Sequence, residues 1–166
     1  MLRASEEADC RDGPSRGTLP LMLREGAGVP TDYELSDDPA KIDVAVVHRY
    51  LSEDSYWAGG RSIDVVKRSI EHSWCLGAYD RNGAMVAFAR VVTDWATVYY
   101  LCDVFVLSDH RGHGLGKALV RRVVNDPRLI DLTGLLGTDD AHDLYSQFGF
   151  RQDDEIRRRI MRRPRS

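Results

Sequence analysis

The sequence predicts a mixed α/β domain in which a mostly antiparallel sheet is flanked by helices. Three observations predict it. Asn82-Gly83 separates two apolar runs of strand period, the pattern of a tight antiparallel hairpin. A third apolar run, residues 97–107, leads into a glycine-rich loop, an amphipathic helical stretch and another short apolar run, a β-loop-α-β unit whose strands are locally parallel. Upstream, apolar residues recur at helical spacing over Ile42, Val46, Val47 and Tyr50 and again over Ile63, Val66 and Ile70.

Taken in order, residues 1–30 mix Glu, Asp, Arg, Gly and Pro without periodicity and read as a flexible leader. Residues 31–161 form the single domain, and residues 162–166 a basic tail. Residues 33–35 suit a short first strand, and Asp38-Pro39 opens a first helix. A turn-rich loop, residues 52–60, carries Tyr56 and Trp57, after which Ser62 caps a second helix. Strands over residues 74–79 and 85–92 form the hairpin, and residues 97–107 are apolar enough for a central strand. Leu115, Ala118, Leu119 and Val123 line one helix face, the chain stops being helical before Pro127, and residues 132–136 return as a strand. Asp140 caps a short helix over Leu144 and Phe148, Gly149 ends it, and residues 155–161 add a last strand.

Composition narrows the function. The 166 residues carry a formal charge of -3, yet six arginines (Arg157, Arg158, Arg159, Arg162, Arg163, Arg165) crowd the C-terminal end and leave the body acidic. The tail is expected to be solvated, with no nucleic-acid partner. No apolar run approaches the ~20 residues of a membrane span, and no secretory signal is visible, so a cytoplasmic protein away from membranes is expected. Cys10, Cys75 and Cys102 show no metal-ligand spacing, so no metal is expected, and the latter two read as core thiols.

The chemistry concentrates in Arg111-Gly112-His113-Gly114-Leu115-Gly116-Lys117, between the central strand and a helix. Glycines let successive backbone N–H groups approach an anion, and the helix dipole adds positive potential at the same point. Arg111 and Lys117 supply formal charge, so the loop suits a diphosphate. A P-loop would need Ser or Thr where Ala118 stands, and a Rossmann fingerprint would come early in a parallel sheet rather than behind a hairpin.

Arg111-x-x-Gly114-x-Gly116 after an apolar strand, followed by Ala141-x-x-Leu144-Tyr145-x-x-x-Gly149-Phe150, resembles the two signature elements of the GNAT superfamily of acyl-CoA-dependent N-acyltransferases. The resemblance implies a central pair of splayed parallel strands and acetyl-CoA as co-substrate. Val104, Phe105 and Val106 would hold the pantetheine, with a backbone N–H near Phe105 on the thioester carbonyl. Arg111, Gly112, His113, Gly114, Leu115, Gly116 and Lys117 would hold the pyrophosphate, and Thr138, where many relatives carry Asn, would donate one hydrogen bond to the cofactor arm. Asp139 and Asp140 beside it are expected to face solvent or cap the helix.

The resemblance makes Tyr145 the acid that reprotonates the leaving thiolate. Asp103 interrupts the central apolar strand next to the reacting carbonyl and is the candidate base, with pairing to an arginine as its structural alternative. Glu53, Asp94 and His142 are weaker candidates, and His48, His72, His110 and His113 read as surface residues. Tyr56 and Trp57 would line an acceptor pocket, where aromatic faces suit a cationic amine. The expected reaction is direct attack of a primary, small-molecule amine on acetyl-CoA in a ternary complex. A protein lysine or N-terminal acceptor, a longer acyl group, a non-catalytic CoA sensor and a homodimer stay open.

Overall fold

The computed structural model describes residues 28–152 together with Asp154, Arg158 and Met161. The leader up to residue 27 and the basic tail lie outside the described residues, as does most of the last strand expected over 155–161. The helical backbone at Asp154 and Arg158 does not support that strand.

Five strands, β1 (Glu34–Ser36), β2 (Trp74–Tyr79), β3 (Met85–Thr93), β4 (Val98–Val106) and β5 (Thr133–Leu136), lie side by side in chain order. Pairing is antiparallel from β1 to β4, and β4 runs parallel to β5. The helices are α1 (Val44–Arg49), α2 (Ile63–Glu71), α3 (Leu115–Val124) and α4 (His142–Ser146).

Strand alternation sends side chains to two cores. Leu76, Ala89, Val91 and Leu101 meet Leu115, Leu119 and Val123 of α3, while Cys75, Phe88 and Phe105 meet Val47 of α1, Leu51 of the turn that follows it and Val66 of α2. Both faces of β2 and β3 are therefore covered, which explains why these strands are almost continuously apolar.

The first helix is shorter than its periodicity predicts. Asp38 accepts from the Ala40 amide and caps only a single turn, Pro39–Lys41; Ile42 and Asp43 are extended, and Asp43 restarts the helix by accepting from Ala45 and Val46. Local carboxylate–backbone bonds compete here with the helical ladder. Two other predicted caps also differ. Ser62 sits at the start of α2 without a side-chain cap bond, and α4 starts from Ala141 rather than Asp140, also without one, the Thr138 hydroxyl accepting from the Ala141 amide at 3.0 Å just ahead of the helix. Gly149, at φ 86°, does end the α4 segment as expected.

One irregularity positions the site. Phe88 pairs with Phe105 and Arg90 with Cys102, so Ala89 alone faces both Asp103 and Val104. This is a β-bulge, with Asp103 in the left-handed region at φ 51°. The β4–β5 ladder ends at Leu101 opposite Leu136, just before the bulge, and the strands part there.

Candidate active site

A groove of about 470 Å³ opens where β4 and β5 part. Its β4 wall is Cys102, Asp103 and Val104, and its opposite wall runs from Gly137 to Ala141 with Tyr145 of α4 behind. Tyr56, Trp57 and Arg61 close it from the α1–α2 side. The fold thus gathers six predicted residues, Tyr56, Trp57, Asp103, Val104, Thr138 and Tyr145, around one cavity.

Backbone direction along β4 follows from two bonds. Leu107 donates to Val86 of β3 at 2.9 Å, whereas the Val106 carbonyl accepts from Arg111 Nε at 3.2 Å. Edges alternate along a strand, so Val104 and Val106 present their backbone groups to the gap and Phe105 presents its own to β3. The gap-facing amides therefore flank Phe105. The Phe105 side chain lies on the opposite face, stacked on Tyr50.

Arg111 to Lys117 starts at the end of β4. Gly112 and Gly114 sit at φ 81° and 79°, a conformation that costs other residues about 1–2 kcal/mol. Gly114 immediately precedes α3, and no side chain caps that helix start, so its first N–H groups face outward as donors. The Arg111 guanidinium turns back to the Val106 carbonyl and the Tyr50 hydroxyl, bracing the loop from beneath. His113 and His110 flank the Tyr33 ring, and Tyr33 shares a 3.1 Å hydrogen bond with His110 Nδ1.

Asp103 is 5 % exposed and takes four hydrogen bonds: Trp57 Nε1 (3.2 Å) and Arg61 Nη1 (3.2 Å) to Oδ1, Arg61 Nη1 (3.1 Å) and Arg90 Nε (2.7 Å) to Oδ2. Asp94, by contrast, builds the β3–β4 turn, where the Thr97 hydroxyl and three backbone N–H groups hold its carboxyl well below the usual range. Glu53 is exposed and does not line the groove, and His142 hydrogen-bonds Gln152.

Burial pushes the Tyr145 phenol up to about 12, with Tyr56 and Asp140 adding to the shift. Burial likewise raises the Cys75 thiol to about 12 and the Cys102 thiol to about 11, so both stay protonated and weakly nucleophilic. Across the groove mouth, Tyr56 donates to Asp140 Oδ1 and accepts from the Asp139 amide, each at 3.2 Å. Asp139 and Asp140 are exposed, as expected, yet both also line the groove. The Thr138 hydroxyl is engaged twice, by the Ala141 amide and, at 3.5 Å, by Asp140.

A family profile described as the acetyltransferase (GNAT) domain matches residues 71–152. A Gibberella zeae protein assigned to the acetyltransferases is 31 % identical over 134 residues, covering 67 % of this chain and 75 % of that protein. A Xanthomonas campestris crystal structure assigned to the GNAT family is 42 % identical, covers 80 % of this chain and 92 % of its own, and superposes with a TM-score of 0.76. The chain belongs to the GNAT family of acetyltransferases. A more distant structure with acetyl-CoA, from Clostridium acetobutylicum, shares the fold at 16 % identity and a TM-score of 0.53, covering 75 % of this chain and 92 % of its own.

GNAT acetyltransferases draw on acetyl-CoA, and the loop fits its diphosphate: uncapped donors at α3, two left-handed glycines and open space at the position of a Cβ on either. This GNAT chain also has site residues that the sequence analysis missed. Arg90 breaks the apolar run of β3 as Asp103 breaks that of β4, and although Arg90 stands opposite Cys102 in the register its guanidinium reaches the Asp103 carboxylate beside the bulge. Arg61 gives no such signal, since it comes from a loop with neither period nor motif. Among the described residues, no helix is long and apolar enough to cross a membrane.

Proposed function

We propose that this GNAT acetyltransferase moves the acetyl group of acetyl-CoA to the primary amine of a small molecule by direct attack in a ternary complex. The parting of β4 from β5 beside Tyr145 carries the reading. It leaves strand-edge backbone at Val104 and Val106 for a pantetheine arm, in line with a loop suited to its diphosphate. Acetyl-CoA supplies an activated acyl thioester. A gap-facing β4 amide polarises the carbonyl, and the protonated state of both described thiols argues against an acyl-cysteine intermediate.

Proton accounting assigns Tyr145 a narrower part than general acid. An alkyl thiol titrates near ~8.5, so complete transfer from a phenol at about 12 is uphill by roughly three powers of ten. Tyr145 instead donates a hydrogen bond to the sulfur as charge builds. The ammonium loses one proton before attack and a second afterwards; one returns to the thiol and one leaves to solvent. Asp139 and Asp140 flank the exit. Asp103, with four donors on it, is read as the counter-ion that fixes Arg61, Arg90 and Trp57 rather than as the base.

The Tyr56 clasp across the mouth supports a small acceptor over a polypeptide, and the rings of Tyr56, Trp57 and Tyr100 offer faces to a cation. Thiol release from acetyl-CoA against an amine library tests the reading. Saturable release with small amines is the expected result; acetyl-CoA binding without release would favour the sensor reading, and release only with peptides would favour a protein acceptor.

A further inference from the structure

Three groups share one patch of groove wall: the guanidiniums of Arg61 and Arg90, whose side chains are 18 % and 13 % exposed, and the carboxylate of Asp103, at 2 %. Two positive charges meet one negative charge. The nearby polar groups do not supply another anion, because Ser73 Oγ accepts from Arg90 as a neutral hydroxyl and Cys75 and Cys102 keep their protons. Arg61 uses only Nη1 on Asp103, leaving Nε and Nη2 without a protein acceptor among the described residues; Arg90 uses Nε and Nη1, leaving Nη2. Taking a net charge partly out of water is costly unless a counter-ion completes the site. A guanidinium fork with free N–H groups matches a planar or tetrahedral oxyanion.

Position adds to this. The patch adjoins Val104, where the thioester would lie, while Asp139 and Asp140 on the opposite wall favour the ammonium form of an amine. One wall therefore suits an anion and the other a cation, with aromatic rings between.

We infer that Arg61, held by Asp103 and backed by Arg90, is an anion subsite that selects acceptors carrying a carboxylate or phosphate close to the amine being acetylated. The inference rests on the amine-acetylation reading above and names its substrate class.

Matched pairs test it: α-amino acids against their decarboxylated amines, and phosphoethanolamine against ethanolamine. The wild-type enzyme should show at least tenfold higher kcat/KM for the anion-bearing member of one pair type, and which type wins identifies the oxyanion. R61K, which keeps a charge beside Asp103 but lacks the fork, should lower that preference at least fivefold; R61Q serves if R61K does not fold. Equal kcat/KM within all pairs in the wild-type enzyme, or an unaltered preference in a folded variant, overturns the subsite. If no amine is turned over, acetyl transfer itself fails, and calorimetry with N-acetyl amino acids still decides the subsite. Binding that weakens in R61K upholds it, and no binding to wild type removes it.

Discussion

Tyr50 lies flat on Phe105, ring centroids 4.0 Å apart and planes within 10°, while its hydroxyl accepts from Arg111 Nη2 at 3.2 Å. One side chain thus joins the end of α1, the strand beside the gap and the first residue of the glycine loop. The same arginine holds the Val106 carbonyl, so the loop is braced against β4 rather than free to swing.

Tyr50→Phe keeps the stack and removes the hydroxyl. Losing a hydrogen bond to a charged group at a partly buried site should destabilise the fold by about 1 kcal/mol. Acetyl-CoA should bind several-fold more weakly, because the loop loses its brace. Thermal unfolding and calorimetry check the two effects separately; unchanged acetyl-CoA affinity would show that the brace is structural only.

Gly114 and Gly116 should respond in opposite ways to alanine. Gly114 sits at φ 79°, so Gly114→Ala should lower stability by about 1–2 kcal/mol and weaken acetyl-CoA binding as the donors shift. Gly116 lies in the first turn of α3, and a Cβ there would meet Leu144 and Val106 at an ordinary 3.9 Å. Gly116→Ala should therefore be neutral or stabilising by up to about 1 kcal/mol through helix propensity. Melting temperatures of the two variants test the contrast.

Tyr145→Phe should lower kcat about 10- to 100-fold while leaving acetyl-CoA affinity within about threefold, as expected for a hydrogen bond made mainly in the transition state. Burial raises the phenol pKa to about 12, so its donor proton is present throughout the working range. The kcat/KM profile should rise with pH as the amine deprotonates and show no fall from Tyr145 below about pH 11. A descending limb near pH 10 that disappears in Tyr145→Phe would contradict this environment.

Asp126 offers a prediction about stability. It is 2 % exposed and held by Arg128 (2.8 and 2.9 Å) and Arg122 (2.6 Å), contacts that set its pKa below the ordinary carboxylate value. The unfolded chain therefore binds the proton more readily. The stabilisation is complete above the unfolded value of ~3.9 and fades as pH falls below it. Asp126→Asn should cost about 1–3 kcal/mol at pH 7, and the gap in melting temperature from wild type should narrow below about pH 4. A gap independent of pH would point to shape rather than charge.

Local signals made much of the fold legible. Asn82-Gly83 marked the β2–β3 turn, where Gly83 takes φ 79° and Asp80 accepts from the Asn82 and Ala84 amides. Periodicity located α2 and α3, and the glycine loop located the start of α3. What escaped were contacts between distant segments. Tyr56 reaches Asp139 and Asp140 across more than eighty residues, and no spacing rule announces such a clasp. The π-type turn Tyr50–Asp54 that carries α1 into the aromatic loop has no sequence signature either. Asp103 was legible as an interruption of an apolar strand, but its partners were not, because Arg61 lies in a loop and Arg90 stands opposite Cys102, meeting Asp103 only through its side chain beside an unannounced bulge.

Direct transfer requires that the gap between β4 and β5 hold acetyl-CoA and a free amine together. Its most direct test is steady-state thiol release and N-acetyl product, measured together while both substrates are varied. Equal amounts of thiol and acetylated amine, intersecting initial-rate patterns and no acetyl group left on the protein are the expected result. Parallel patterns with acetyl label retained on the enzyme, or bound acetyl-CoA with no product from any amine, would contradict it.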